Sequence, residues 1–181
     1  MAMVIPLFFF VRPLRAEVDG DRFRSKEWRI RMTAPKDWQL SEQTSYPNVL
    51  LWMVRSAPDG KMLLSAEKLS EDIDALEYAN RTVKVLEKMG FQVRAPQLHS
   101  ATGAYLVDFD NCLHPEKGCE GKAFLRQAFL VVDHVGYALT LSAPDLRTRG
   151  RLLHAFDYTL RSIRIDRGKP AEPAAPAEPA E

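Results

Sequence analysis

Two thiols and an imidazole lie close together in Cys112-Leu113-His114-Pro115-Glu116-Lys117-Gly118-Cys119. In an oxidising compartment, two cysteines separated by six residues, across a proline and a glycine, close a small disulfide loop. By the loop-entropy model such a bond limits the unfolded chain by about 2–3 kcal/mol. In a reducing compartment both stay thiols. Cys112, His114 and Cys119, with Asp110 or Glu116 as a fourth ligand, also offer donors that zinc accepts. Structural zinc sites, however, usually carry paired C-x2-4-C knuckles, and none is present. The Cys112–Cys119 disulfide is the favoured expectation and the metal site the alternative; no cofactor is expected. Asp108 and Asp110 are spaced by two, so on a strand they share one face, as a pair of catalytic carboxylates would. The plainer account, a strand end entering a polar loop, is preferred. His99, His114, His134 and His154 are scattered, and no G-x-S-x-G, P-loop, G-x-G-x-x-G or H-E-x-x-H is present. The chain is therefore not expected to be an enzyme.

The segment that carries these residues must be held by the elements around it. Residues 123–133 are rich in Phe, Leu and Val and predict a strand, apolar on both faces over 128–132. Asp133-His134-Val135-Gly136 breaks the run, with Gly136 expected to take the turn's positive φ. A second strand follows over 137–141. Pro144 and Asp145 then read as a helix start, with Pro144 at the first helical position. Leu146, Arg149, Leu153, Phe156, Leu160 and Ile163 recur at helical spacing.

Upstream, Trp28-Arg29-Ile30-Arg31-Met32 alternates as a strand with one buried face. Residues 49–54 and 62–67 flank Ala57-Pro58-Asp59-Gly60 and predict a hairpin. Ser70 is read as a helix N-cap, followed by an apolar stripe through Ile73, Leu76, Ala79, Val83 and Leu86 and a stop at Gly90. Residues 91–98 and 104–109 predict two further strands. Four aromatics, Tyr46, Trp52, Tyr105 and Tyr137, are candidates for a cleft or patch. Trp52 is read as core, and Tyr46, beside Pro47, as reachable.

The 181 residues divide into a non-core segment 1–20, one domain over 21–167 and a tail over 168–181. Prolines 170, 173, 176 and 179 in the tail are spaced by three, as in an extended polyproline helix, and disorder is expected there. The net charge of +1 is too mild for a nucleic-acid partner. Residues 3–11 are apolar but far shorter than the ~20 needed to cross a membrane. They read as a remnant signal core without its charged flank, so export to the periplasm or envelope is the expectation, and a cytoplasmic place the alternative.

Trp28-x-Ile30 followed by Ala34-Pro35-x-x-Trp38 resembles the opening of PsbP-like domains. The hairpin, the helix with Tyr78-Ala79 and the closing helix through Phe156 to Ser162 follow in the same order, so the resemblance covers about residues 25–165. It implies an α+β fold, an antiparallel β-sheet flanked by two main helices in a PsbP-like α/β sandwich. Members of that family include photosystem accessory subunits, a Ran-binding nuclear import factor and exported or DcrB-like bacterial proteins. It therefore implies binding rather than catalysis. The expected function is a non-catalytic binding or accessory protein of the cell envelope, with a protein partner met through loops. Tyr46, His114, Glu116 and Lys117 are the candidate partner-binding residues. A metal- or small-ligand-binding protein using the Cys112–Cys119 loop is the alternative.

Overall fold

The computed structural model describes residues 16–42, 48–110 and 123–167. The hairpin expected near the C-terminus is the centre of the molecule. Strand β10 (Phe124–Val132) pairs antiparallel with β11 (Val135–Ala143) in unbroken register from Phe124↔Ala143 to Val132↔Val135. The two turn residues are Asp133 and His134, both left-handed, at φ 49° and 59°. That is the primed turn whose twist matches paired strands, and Asp and His are among the side chains that tolerate it. Gly136 is not the turn residue. It is needed for space, because a Cβ there would lie 2.8 Å from the Tyr78 ring.

Around this hairpin an eight-stranded antiparallel sheet is built in the order β4-β5-β6-β11-β10-β9-β7, with β8 also paired to β9. Its other strands are β4 (Gln39–Glu42), β5 (Val49–Ser56), β6 (Asp59–Lys68), β7 (Gln92–Val93), β8 (Gln97–His99) and β9 (Ala104–Asp110). The expected strand over 91–98 is thus two short pieces. Pro96 lies between them and has no N–H to give a ladder. A second sheet of four short strands runs β1 (Glu17–Asp19), β2 (Arg22–Ser25), β3 (Ile30–Thr33), β12 (Arg164–Ile165). Of the segment 1–20 only 16–20 are described. There Glu17–Asp19 pairs with β2 across a turn at Gly20, and Val18 packs on the core, so this end of the segment belongs to the small sheet.

Two helices cover the large sheet. Helix α1 (Ala75–Lys88) packs on β7, β9 and β10, where Ala79 meets Val107, Phe109, Phe129 and Ala138. Its N-cap is Asp74 and not Ser70: the Asp74 carboxylate accepts from the Glu77 N–H at 2.8 Å. Ser70 lies four residues too early, and Glu71 instead pairs with Arg81 at 2.6 Å. Helix α2 (Leu146–Ser162) lies on the opposite face of the hairpin. Its Leu152, Phe156 and Leu160 are buried with Leu64, Leu139 and Leu141 of the large sheet and with Phe23, Ile30 and Met32 of the small one. Asp145, not Pro144, starts it, accepting from the Thr148 N–H at 2.8 Å. The result is an α+β fold with an antiparallel sheet between helical layers, as expected.

Candidate functional site

Strand β9 carries Asp108 on the α2 side of the sheet. The neighbouring strand places Arg126 directly opposite it in register. The guanidinium grips the carboxylate with both arms, Nε to Oδ1 and Nη2 to Oδ2, each 2.7 Å. This fork geometry is the strongest form of the pair. Arg149, one turn into α2, adds Nη1 at 3.3 Å from Oδ1. The Asp108 side chain is 12% exposed, Arg149 13% and Arg126 23%, so the cluster is largely withdrawn from water. Burial by itself would raise the Asp108 carboxyl. The Arg126 fork and the charges of Arg126, Arg149 and Arg94 outweigh it and hold the carboxyl below its usual range. Arg126 is raised in turn, chiefly by its bond to Asp108.

This cluster forms the wall of a cleft of about 400 Å³ lined by residues of β7, β9, β10 and the start of α2. Arg94, Arg149, Asp108 and Asp110 supply its charges, and Val93, Phe124 and Leu146 its apolar surface. Arg94 is fixed at its backbone, where its N–H donates to the Asp108 carbonyl at 2.9 Å. The Arg149 Nε is buried with no hydrogen-bond partner among the described residues. Such an N–H is costly to leave without an acceptor.

Asp108 and Asp110 do share a face, as their spacing requires, and Asp108 is held between the Arg126 and Arg149 guanidiniums. The histidines are dispersed. His99 is held by Thr102 and Asp157 at 2.8 and 2.9 Å. His134 lies in the exposed hairpin turn, and His154 is exposed on α2. Among the described residues no group of three His, Cys, Asp or Glu side chains is placed to hold a metal. Tyr137 is core, donating to the Trp28 carbonyl at 2.8 Å, and Tyr105 packs toward α1, so neither joins an exposed aromatic patch. Cys112, His114, Glu116, Lys117, Cys119 and Tyr46 lie outside the described residues. The residues flanking 111–122 do not: Asp110 and Phe124 both line the cleft. Arg94 and Arg126 carried no sequence signal of a site. Arg149 did, since a charged residue stood in the apolar stripe of its helix.

No protein-family model and no curated protein sequence matches the chain. Solved structures do. The solution structure of cyanobacterial PsbP (CyanoP) from Synechocystis sp. PCC 6803 aligns with a TM-score of 0.53 at 11% identity, over 87% of this chain and 96% of that one. LpqN of Mycobacterium tuberculosis, described as involved in cell envelope biogenesis, aligns with a TM-score of 0.55 at 19% identity, over 75% and 82% of the two chains. A protein of Bacteroides thetaiotaomicron VPI-5482 gives 0.52 at 12% identity, over 83% of this chain and 50% of its own length. At these identities the likeness is one of fold, and the antiparallel sheet with a helix on each face has the PsbP-like fold.

Proposed function

We propose that the protein is a non-catalytic binding or accessory protein of the cell envelope, and that it meets a partner protein at the end of the sheet where segment 111–122 leaves and rejoins it. The observation that carries this reading is the state of Asp108. The carboxylate best placed for catalysis is committed to Arg126 and Arg149 and kept ionised, so this end of the molecule is built to hold charge in place and not to move protons. Loops set on such a rigid frame commonly carry recognition. The envelope role described for LpqN, a protein of the same fold, supports the location. In this reading Cys112 and Cys119 close the loop by a disulfide, and Tyr46, His114, Glu116 and Lys117 contribute contacts.

The test is affinity capture from the envelope fraction of the native cell, with the intact chain beside one in which 111–122 is replaced by a Gly/Ser linker of equal length. A partner recovered by the intact chain and lost with the exchange is expected. Equal recovery by both refutes the placement. The same purified material, weighed with and without reductant, gains about 2 Da on reduction if the disulfide is present.

A further inference from the structure

Three guanidiniums, Arg94, Arg126 and Arg149, surround Asp108 at one end of the sheet, and Asp110 lines the same cleft. Among the described residues one positive charge is left over. Arg126 is spent on Asp108 through both of its arms. Arg149 gives only Nη1 to Asp108 at 3.3 Å, while its buried Nε has no acceptor among the described residues. Arg94 reaches Asp108 through space only and makes no ion pair among the described residues. Arg94 and Arg149 both line the same cleft of about 400 Å³. Its other walls include Val93, Phe124 and Leu146, and Leu146 is an exposed leucine at the first position of α2.

We propose that this cleft binds a carboxylate carried on an apolar stem, with Arg94 and Arg149 receiving the carboxylate and Val93, Phe124 and Leu146 the stem. A singly charged group matches the single excess charge of the described residues, whereas a phosphate dianion would reverse the sign of the site beside Asp108 and Asp110. The planar donor fork of arginine suits a carboxylate, and the apolar walls suit hydrocarbon. Resting on the reading of this end as a binding face, the site deepens it by naming the chemistry recognised there: an acidic side chain or chain end of a partner is the natural source of such a group.

The test titrates the isotopically labelled full chain with hexanoate, with inorganic phosphate and with 1-hexanol, following backbone amide resonances. Hexanoate is expected to shift the amides of Arg94, Leu146 and Arg149 saturably, and the other two probes to do so at least about tenfold more weakly: 1-hexanol brings no charge for the arginines, and phosphate brings no stem for the apolar walls and, as the dianion, overshoots the excess charge. Arg94→Gln and Arg149→Gln should each weaken hexanoate at least about fivefold. Arg149→Gln removes a contact to Asp108 and risks the fold. Arg94→Gln removes no close ion pair and keeps the test decisive. No saturable hexanoate shift, phosphate binding tighter than hexanoate, or unchanged affinity in Arg94→Gln overturns the proposal. Because this assay contains no partner and the 111–122 exchange leaves both arginines in place, failure here is distinct from failure of the partner reading.

Discussion

Replacing Asp108 by Asn takes one negative charge from among Arg94, Arg126 and Arg149 while leaving the shape of the side chain almost unchanged. An exposed ion pair contributes only about 0–1 kcal/mol. Breaking a buried pair by neutralising one member costs about 3–5 kcal/mol, because the remaining charge stays desolvated. With side-chain exposures of 12% for Asp108 and 13% for Arg149, this cluster belongs near the buried case. Asn keeps one acceptor oxygen, so the expected loss is about 2–4 kcal/mol. For a urea dependence of about 2 kcal/mol per molar, the unfolding midpoint falls by about 1–2 M. The pH dependence has a definite sign. Asp108 is held below its unfolded value in the native state, so its contribution is complete above the unfolded value of about 3.9 and is lost as pH falls through the lower native one. Urea titrations of both proteins between pH 7 and pH 2.5 should show a constant gap down to about pH 5 that closes below about pH 4. A gap under about 0.5 kcal/mol at pH 7, or one that widens in acid, would refute the buried-anchor account.

Gly136→Ala puts a Cβ 2.8 Å from the Tyr78 ring, whose hydroxyl is tied to Glu67 at 2.6 Å and which forms a T-shaped pair with Phe129 at 5.3 Å between centroids. The ring cannot retreat freely, and a loss of about 1–3 kcal/mol in equilibrium unfolding is expected; a neutral variant would show that α1 shifts at little cost. Tyr137→Phe removes the 2.8 Å bond to the Trp28 carbonyl and nothing else large, so about 1 kcal/mol should go, read as a lower thermal midpoint. Asp74→Ala deletes the α1 cap and should cost about 1 kcal/mol, while Ser70→Ala, outside the helix, should leave the midpoint unchanged.

Much of the frame was legible in the residues, because the apolar period of a strand or helix is a local property. The β10–β11 hairpin, the β5–β6 hairpin and both helices lie where their patterns put them. Trp38 is buried where the chain turns from Pro35 into β4. Helix starts were less well placed, since Ser70 and Asp74 are both good caps and only packing of α1 on β9 and β10 chooses between them. The short strands β1, β2, β4 and β12 went unread. At two to four residues each they show too little alternation to stand out, and they exist because partners elsewhere in the chain pair with them.

The charge cluster divides in the same way. That Asp108 and Asp110 share a face, and that Arg149 stands in the apolar stripe of α2, follows from the spacing alone, because two residues make a strand repeat and 3.6 a helical turn. That Arg126 lies opposite Asp108 follows from the register of two strands joined through 111–122. That Arg149 reaches the same carboxylate follows from the position of α2 across the sheet. Register and docking are relations between distant segments, and no local pattern encodes them; only the packed chain turned a lone arginine in a greasy stripe into one wall of a charged cleft.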